Sequence, residues 1–367
     1  MEYLFPAALT VLLVTATYVS LDIMGFLPGK NKFQVDGRTI ILTGASQGMG
    51  KEAAKLLSQR GANIVLVARD VAKLESALAY VKAAAKNPST QRFLTISADV
   101  SVESENGRLL AEATAWNHGK TPEIVWANAG VSTPGLYIET SIETLRKQMD
   151  INYWAAAYLA HHTLRAWLYP STPYGPQGKG ASSEAPRHFI VTSSSAAYVG
   201  IAGYSPYQPA KAALRFLCDS LRNEVQLYNG ARRSNKATGT HPAPFDVHIQ
   251  SIFPGNISSP GHANEDKTKP PVTFILEESD PVQTELQAAS AAIAGLERGN
   301  YMTPTNWLGQ LMRFGSLGGA PRDNIVVDTL GSWIAAIVWL FMVPDLEGKV
   351  WGWGKKEGMA KFRPNAQ

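Results

Sequence analysis

Residues 38–59, RTIILTGASQGMGKEAAKLLSQ, place a glycine-rich turn between an apolar run and a helical pattern. The run at 38–43 predicts a buried β-strand, and residues 49–59 predict an α-helix. Gly44, Gly48 and Gly50 allow a tight turn and let the backbone approach a pyrophosphate, whose charge is stabilised at a helix N-terminus. Because a glycine turn alone is a weak signal, the strand before it and the helix after it carry the prediction of a dinucleotide-binding fold.

Strand-like and helix-like patterns continue to alternate beyond this unit, with a predicted helix at 70–86. Continuous apolar runs, typical of strands buried on both faces, occur at 63–68, 92–98, 123–127, 188–193 and 246–253. This alternation predicts the α/β class, with a Rossmann-like, doubly wound parallel sheet and helices on both faces. We expect this domain to span residues 36–304.

The overall composition limits the classes of function. The chain has 367 residues, of which 45% are hydrophobic and 17% charged, so it contains enough apolar side chains for a large core. Its net charge of +4 is not concentrated in a run of Lys or Arg, which argues against nucleic acid as a partner. With Cys218 as the single cysteine, no intrachain disulfide is expected, and this suits a reducing compartment.

The first 24 residues predict a membrane anchor. Residues 4–21 are 18 uncharged residues, which as a helix at about 1.5 Å per residue just span a hydrocarbon core of about 30 Å. A signal peptide is the alternative, but the start, MEY, lacks the basic residues that such a peptide needs. Lys30, Lys32 and Arg38 follow the segment, which places the main domain on the cytosolic side.

The C-terminal part, residues 305–367, predicts a second membrane-associated region. The apolar stretch 325–344 is interrupted by Asp328 and reads as a second span, an interfacial or re-entrant helix, or a buried core helix. Three tryptophans at or beyond its end favour a membrane-embedded position, and these are Trp339, Trp351 and Trp353.

A shorter amphipathic pattern precedes that stretch, at residues 305–317. It sets Arg313 opposite a broad apolar face, whose members are Trp307, Leu308, Leu311, Met312 and Phe314. The pattern fits a helix that either enters the bilayer surface or packs on the sheet.

The end of the second strand indicates which dinucleotide binds. A fold that prefers NAD places an acid there for the ribose 2′-hydroxyl, whereas this chain has Ala68 followed by Arg69. A guanidinium can bind a 2′-phosphate, so we expect NADPH; the alternative is that Arg69 is only a surface residue. Asp99 is expected at the adenine, and residues 128–130, Asn-Ala-Gly, at the ribose and nicotinamide.

A tyrosine and a lysine four residues apart, Tyr207 and Lys211, complete an ordered set with the glycine turn, Asp99, residues 128–130 and Asn152. Ser194 precedes the tyrosine by 13 residues, and its neighbours Ser193 and Ser195 are the alternatives. In this order the set resembles the short-chain dehydrogenase/reductase family over roughly residues 37–301. His161 and His162 lack an accompanying cluster of cysteines or acids, so no metal site is expected.

The chemistry of ketone reduction explains these residue types. Ser194 and Tyr207 can donate hydrogen bonds to the developing alkoxide, and a nearby cation, Lys211, lowers the pKa of the phenol. The family resemblance implies that Lys211 also binds the nicotinamide ribose and that Asn152 holds a water that relays a proton to it. Pro209 is tolerated only in a first helical turn, so the helix is expected to begin near residue 205 or 206.

The resemblance also implies the residues that line the cofactor site. They are Gly44, Ser46, Gln47, Gly48, Met49, Gly50, Arg69, Asp99, Val100, Asn128, Ala129, Gly130, Tyr207, Lys211, Pro254, Gly255, Ile257 and Ser259.

The loop that begins at Phe253 carries the prediction of the substrate. Its sequence, with SPG, NEDKTKPP and ILEE segments, resembles the 3-ketodihydrosphingosine reductases, as do the membrane-like ends. That resemblance implies NADPH-dependent reduction of the C3 ketone of 3-ketosphinganine, a lipid with an ammonium head, at the cytosolic face of the endoplasmic reticulum. Acids such as Glu265, Glu277 or Glu278 are candidates to attract that ammonium.

Two other functions remain open from the sequence. One is a membrane-anchored hydroxysteroid dehydrogenase of the same superfamily, and the other is an NADPH-binding sensor without turnover. By analogy with the superfamily, a homodimer through the helices that hold Asn152 and Tyr207 is expected.

Overall fold

A parallel β-sheet forms the centre of the molecule. The computed structural model describes residues 30–171, 174, 184–234 and 242–358. Within these residues, seven strands lie in the order β3-β2-β1-β4-β5-β6-β9, all parallel. The predicted Rossmann-like sheet is therefore confirmed, whereas the expected anchor at residues 1–24 lies outside the described residues.

The strands match the apolar runs closely. Their bounds are β1 Thr39–Thr43, β2 Asn63–Ala68, β3 Phe93–Ser97, β4 Ile124–Ala127, β5 Arg187–Thr192, β6 Val247–Phe253 and β9 Met302–Pro304. A two-stranded parallel pair, β7 Ile257–Ser258 and β8 Gln283–Thr284, lies after β6. Strand β9 was not predicted, because three residues are too short for a recognisable pattern.

Helices cover both faces of the sheet. Their bounds are α1 Gly48–Gln59, α2 Val71–Lys82, α3 Glu103–Trp116, α4 Ile142–Met149, α5 Ala155–Leu168, α6 Gln208–Ala231, α7 Pro260–Glu265, α8 Pro271–Glu277, α9 Glu285–Arg298, α10 Trp307–Ser316 and α11 Ile325–Glu357. Side chains on β1 alternate between two apolar clusters, because Ile41 packs in one and Ile40 and Leu42 pack in the other.

The parallel arrangement brings the predicted site residues to one edge. Gly44, Arg69, Asp99 and Asn128 follow β1, β2, β3 and β4, and Ser194 follows β5. Since β1 lies between β2 and β4, the chain reverses its direction of travel through the sheet at this point. Ligands of open α/β sheets bind at such a switch point, beyond the carboxyl ends of the strands.

Two helices have bounds that differ from the predictions. Helix α2 ends at Lys82 and not at residue 86, because the next residues form a turn and the Lys86 amide bonds the Ser58 carbonyl at 3.2 Å. Helix α6 begins at Gln208, two or three residues after the predicted start. A turn precedes it, in which the Tyr204 carbonyl accepts hydrogen bonds from the amides of Tyr207 and Gln208, both at 2.9 Å. Tyr207 thus occupies the N-cap position.

The C-terminal helices correct two expectations. Arg313, expected opposite the apolar face of α10, is only 2% exposed, since its guanidinium bonds Asp328 and Asp323, each at 2.8 Å. Asp328 does not interrupt the apolar segment, because it lies in the first turn of α11. This helix continues through Pro344 to Glu357, and its buried residues are Asp328, Gly331 and Ala335, so it is not a core helix along most of its length.

Candidate active site

The glycine turn after β1 is closely packed against the end of β4. Gly44 has a φ of +67°, which favours glycine, and a Cβ at this position would lie 2.9 Å from the Cα of Ala129. The Thr43 hydroxyl accepts hydrogen bonds from the amides of Asn128 and Ala129, both at 3.0 Å. These contacts fix the turn beside residues 128–130, as the order of motifs predicted.

The turn leads directly into the N-terminus of α1, which no side chain caps. Its N-cap residue, Gln47, makes no side-chain hydrogen bond to the first turn, whereas Asp70 caps α2 and Ser141 caps α4. The first amides of a helix carry partial positive charge and need acceptors. An uncapped N-terminus that lines a crevice therefore suits the pyrophosphate of a dinucleotide.

A crevice of about 350 Å³ runs along this edge of the sheet. It is lined by every residue expected at the cofactor except Gly255, which lines the adjoining cleft. A Cβ on Gly130 would lie 3.0 Å from Lys211 Nζ and 2.9 Å from Asn152 Oδ1, so glycine keeps the floor of the crevice open. The residues present therefore fit a nicotinamide dinucleotide.

One end of the crevice carries basic side chains. Arg69 is largely exposed, with 71% of its side chain accessible, and its guanidinium lies 3.8 Å from the Asp99 carboxylate. Lys73, in the first turn of α2, lines the same end. Sequence reasoning missed Lys73, although its position four residues after Arg69 was the available signal.

Asn128 joins three strands at the centre of the crevice. Its amide group donates to the Thr43 carbonyl at 3.2 Å, and its Oδ1 accepts from the Thr192 hydroxyl at 3.0 Å. The Trp126 indole in turn donates to that hydroxyl at 2.9 Å. Asn128 therefore holds the carboxyl ends of β1, β4 and β5 together beneath the cofactor site.

Tyr207 lies where the crevice meets a second, larger cleft and lines both. Burial raises the pKa of its phenol above the ordinary value, the nearby charge of Glu265 raises it further, and a hydrogen bond with Ser194 opposes the rise. The expected lowering by Lys211 therefore does not dominate in this structure. A raised pKa keeps the phenol protonated near neutral pH, which suits a proton donor.

The three consecutive serines have different positions. The Ser193 hydroxyl is buried and donates to the Lys211 carbonyl at 2.8 Å, so it fastens β5 to α6. The Ser195 amide bonds the Pro254 carbonyl at 2.9 Å and begins a short 3₁₀ turn. Of the three, Ser194 is the one whose hydroxyl interacts with Tyr207, and both line the second cleft.

Lys211 is buried directly behind Tyr207. Its Nζ lies 5.6 Å from the centre of the Tyr207 ring and donates to the Thr192 carbonyl at 3.1 Å. Burial lowers the pKa of Lys211 from 10.5 to about 7. The ammonium therefore releases its proton far more readily than a lysine in water, which suits a group in a proton relay.

Asn152 lies in a single π-helical turn, Asp150–Trp154, between α4 and α5. Its side chain is buried, accepts from the Val131 amide at 3.1 Å and donates to the Val131 carbonyl at 2.7 Å. This pairing fixes the loop after Gly130 against the helix. The π-turn was not predicted, but such turns occur often at functional sites.

The second cleft has a volume of about 600 Å³ and opens beside Ser194 and Tyr207. Helix α10 contributes Leu308 and Met312 to its wall, whereas the segment after β7 contributes Glu265, Glu277 and Asp280. Glu278, one of the three acids considered from the sequence, does not line it. The cleft therefore offers an apolar side and an acidic side to a substrate whose ketone reaches the serine and tyrosine.

The sheet, the dinucleotide crevice and the Ser194, Tyr207 and Lys211 arrangement together define a nicotinamide-dependent oxidoreductase. The profile of the short chain dehydrogenase family matches residues 38–269, and the chain belongs to this family.

Two curated relatives specify the similarity further. The chain is 44% identical over 358 residues to a 3-ketodihydrosphingosine reductase of Aspergillus fumigatus, and the match covers 96% of this chain and 95% of that protein. It is 45% identical over 336 residues to a 3-ketodihydrosphingosine reductase of Neurospora crassa, with 91% and 87% covered. A match over 91% or more of the chain must extend far past residue 269, so both matches include the cleft and α10.

Solved structures agree on the fold. A short chain dehydrogenase/reductase from Burkholderia phymatum, in complex with NAD, superposes with a TM-score of 0.58 at 17% identity, covering 75% of this chain and 90% of that one. A short-chain dehydrogenase/reductase from Mycobacterium ulcerans gives 0.56 at 21% identity, with 74% and 89% covered.

Proposed function

We propose that this chain reduces the C3 ketone of 3-ketosphinganine to sphinganine, with NADPH as the cofactor. The observation that carries the proposal is the breadth of the match to 3-ketodihydrosphingosine reductases, which covers 96% of the chain at 44% identity. A shared dinucleotide fold alone would explain similarity up to about the end of the family profile at residue 269. Similarity beyond that point includes α10, which lines the substrate cleft.

Different residues of the chain have different roles in the reduction of the ketone. When bound, NADPH supplies the hydride that reaches the ketone carbon. Ser194 and Tyr207 bind the ketone oxygen and stabilise the charge that develops on it, and Tyr207 gives its proton to that oxygen. Lys211 lies behind the phenol and returns a proton to it, and Asn152 holds the loop at Val131 in place beside the relay.

The basic end of the crevice supports NADPH over NADH. Arg69 and Lys73 lie there, and the acid that would bind a free ribose 2′-hydroxyl at the end of β2 is replaced by Ala68. A 2′-phosphate placed between two cations gains charge-assisted hydrogen bonds. Arg69 also lies 3.8 Å from Asp99, the residue expected at the adenine.

The exposed surface of α11 supports attachment to a membrane. Within the described residues, α11 is the one helix that is long and apolar enough to cross a bilayer. Many of its large side chains are exposed, among them Trp333, Ile334, Ile337, Leu340 and Phe341. A contiguous apolar surface of this size marks an interaction site, and a long-chain lipid substrate makes the bilayer its natural partner.

The proposed location is the endoplasmic reticulum membrane, with the catalytic domain facing the cytosol. The basic residues that follow the first apolar stretch support this orientation, since positive charges favour the cytosolic side.

A homodimer through α5 and α6 is part of the proposal. A groove between these helices is lined by half-buried leucines, namely Leu164, Leu168, Leu217 and Leu221, and neighbouring Phe216 and Leu227 are exposed. Light scattering of the detergent-solubilised protein, compared with a Leu221→Arg variant, tests this assembly.

The decisive experiment measures NADPH consumption by the purified full-length protein in detergent. Offered 3-ketosphinganine and a ketosteroid separately, it is expected to oxidise NADPH only with the former, and mass spectrometry should identify sphinganine. Tyr207→Phe serves as the control, which should lose turnover by about 10²- to 10⁴-fold while still binding NADPH. Turnover of the steroid would instead indicate a hydroxysteroid dehydrogenase, and NADPH binding without turnover of either ketone would indicate a sensor.

A further inference from the structure

The acidic side of the substrate cleft is only partly neutralised by the protein. Glu265, Glu277 and Asp280 line the cleft, and Asp266 follows directly on Glu265. Among the described residues of α7, α8 and the segment between them, Lys269 is the buried cation, with 1% of its side chain exposed. Its ammonium lies 2.8 Å from Glu277 and 2.9 Å from Asp266.

These ion pairs account for two of the four acids. Lys269 binds both Glu277 and Asp266. In the part of the chain that the structure describes, Glu265 and Asp280 have no ion pair with a lysine or an arginine. The nearest histidine nitrogen to Glu265, Nδ1 of His262, lies 3.6 Å away and balances the carboxylate only when the histidine is protonated.

Glu265 is nevertheless largely buried, since 17% of its side chain is exposed. Burial raises the pKa of its carboxyl, although the nearby Ser132 side chain and the charge of Lys269 oppose the rise. A carboxylate that is buried without a cation is electrostatically costly, and a cationic ligand removes that cost. Its place in the wall of the cleft puts the carboxylate where a ligand can reach it.

Of the acids that line the cleft, Glu265 is the one whose charge affects the phenol of Tyr207. Its charge raises the pKa of Tyr207, and no corresponding effect comes from Asp280, which lines the same cleft. Ser132, which lines the same cleft as Glu265, is two residues after Gly130. Glu265 therefore lines the same cleft as Ser194 and Tyr207 and is close enough for its charge to act on the phenol.

The covalent geometry of the substrate sets where its charge must lie. In a 2-amino ketone, three covalent bonds separate the nitrogen from the ketone oxygen, so the two atoms are about 3 to 4 Å apart. A ketone oxygen held by Ser194 and Tyr207 places the ammonium within a few ångströms of the same residues. An acid that binds this ammonium must therefore stand next to the catalytic tyrosine, and not deeper along the cleft.

From this arrangement we infer that Glu265 binds the ammonium of the substrate and makes the enzyme selective for 2-amino ketones over ketones that lack the amine. The inference rests on the proposed function, because it assigns the charged group of that substrate. Leu308 and Met312 form the apolar side of the cleft, which leaves the alkyl chain to run along α10 toward α11. Glu265 thus acts in substrate selection, and Tyr207 remains the proton donor.

The test compares two substrates of equal chain length, 3-ketosphinganine and 1-hydroxyoctadecan-3-one, which has hydrogen in place of the amine. In Glu265→Gln, kcat/KM for the amino ketone is expected to fall about 10- to 100-fold, as for loss of a charged hydrogen bond, with less than about threefold change for the other ketone. Asp280→Asn is the matched control, since it removes an acid from the same cleft, and Glu278→Gln removes one outside it. Both controls are expected to keep the selectivity for the amine.

Three results would overturn the inference. Equal losses on both ketones in Glu265→Gln would assign the residue a structural role, and an unchanged selectivity would exclude it from ammonium binding. A loss in Asp280→Asn as large as that in Glu265→Gln would assign selectivity to the overall charge of the cleft.

A binding measurement separates this inference from the proposed function. Sphinganine is expected to raise the melting temperature of the wild-type protein with NADP⁺ bound more than octadecane-1,3-diol does, and Glu265→Gln should lose the difference. If the wild type does not reduce 3-ketosphinganine but shows this difference, the proposed reaction fails and the assignment of Glu265 stands. An equal response to both lipids in the wild type overturns the assignment.

Discussion

Lys211 is a buried lysine whose ammonium lowers the folding stability of the protein. Only 2% of the residue is exposed, and burial lowers the pKa of its ammonium from 10.5 to about 7. Near neutral pH and below, the folded chain therefore contains a charge that would be better solvated in the unfolded chain. A buried lysine with a lowered pKa beside Tyr207 is typical of a functional site.

Replacing Lys211 with Met should abolish turnover and stabilise the fold. Between about pH 7 and 10.5 the unfolded wild-type chain binds a proton that the folded chain does not, so wild-type stability rises with pH across this window. The advantage of Lys211→Met is therefore largest at and below pH 7 and shrinks by up to about 1.4 kcal/mol per pH unit above it.

Melting temperatures of both proteins in detergent between pH 6 and 10.5, without NADPH, measure this difference. Lys86→Met is the control, because Lys86 forms an exposed ion pair with Asp36 and should give no such pH dependence. If the difference in melting temperature between Lys211→Met and the wild type stayed constant from pH 6 to 10.5, the burial argument would be contradicted.

Arg69 is the residue on which the proposed preference for NADPH depends. Replacing it with Asp removes a cation that is positioned for the 2′-phosphate and supplies an acceptor for a 2′-hydroxyl. The ratio of kcat/KM for NADPH to that for NADH should fall about 100-fold. Steady-state kinetics with both cofactors measure this ratio, and Lys73→Met should lower it less. An unchanged ratio in Arg69→Asp would show that another residue distinguishes the ribose 2′-phosphate from the 2′-hydroxyl.

At the scale of the elements, the sequence predicted what depends on local patterns. Apolar runs located the six long strands, and the turn at Gly44 and the pair Tyr207 and Lys211 were recognisable because their spacing is local. The partners of Ser193 and the burial of Arg313 were not predictable, since both depend on residues far away in the chain or in another element. Strand β9 is defined only by its pairing with β6.

An ion pair links α10 and α11. Arg313 binds both carboxylate oxygens of Asp328 at 2.8 Å, and the pair is almost completely buried. Close packing adds to it, because a Cβ on Gly331 would lie 2.6 Å from the Phe314 ring. Helix α11 is therefore held firmly at its N-terminal end, whereas most of its remaining length is exposed.

Arg313→Met should weaken this link strongly, because it leaves the buried Asp328 carboxylate without its cation. The expected cost is about 3–5 kcal/mol, and the double variant Arg313→Met/Asp328→Leu should recover most of it. Hydrogen exchange of the first turns of α11 reports the change. Lys349→Met, which breaks the exposed ion pair with Asp345, is the control. Its free energy of opening, measured by hydrogen exchange, should stay within about 0.5 kcal/mol of the wild type. Equal protection in Arg313→Met and the wild type would mean that packing alone holds the helix.

At the scale of the whole molecule, the fold places the substrate cleft next to the apolar helix α11. Helices α8 and α10 both pack against α11, and both contribute residues to the cleft wall, Glu277 from α8 and Leu308 and Met312 from α10. Trp307 on α10 and Phe274 on α8 are exposed beside them. A lipid that leaves a bilayer along α11 would therefore meet the apolar side of the cleft first.

This arrangement predicts that α11 alone keeps the protein on membranes. Deleting residues 1–24 should leave the chain in the membrane pellet after carbonate extraction, because the exposed face of α11 still inserts. Replacing three residues of that face with Gln, namely Ile334, Ile337 and Phe341, should release the protein only when residues 1–24 are also deleted.

The control replaces three other exposed aliphatic residues with Gln, namely Val102, Ile138 and Ile142, in the chain that lacks residues 1–24. This control should remain in the pellet, since loss of scattered surface side chains does not remove a contiguous apolar face. Release of the protein by the deletion alone would limit anchoring to the N-terminal segment. Retention of the combined variant would instead require a third contact with the bilayer, for which exposed Trp307 on α10 and Phe274 on α8 are the next residues to replace.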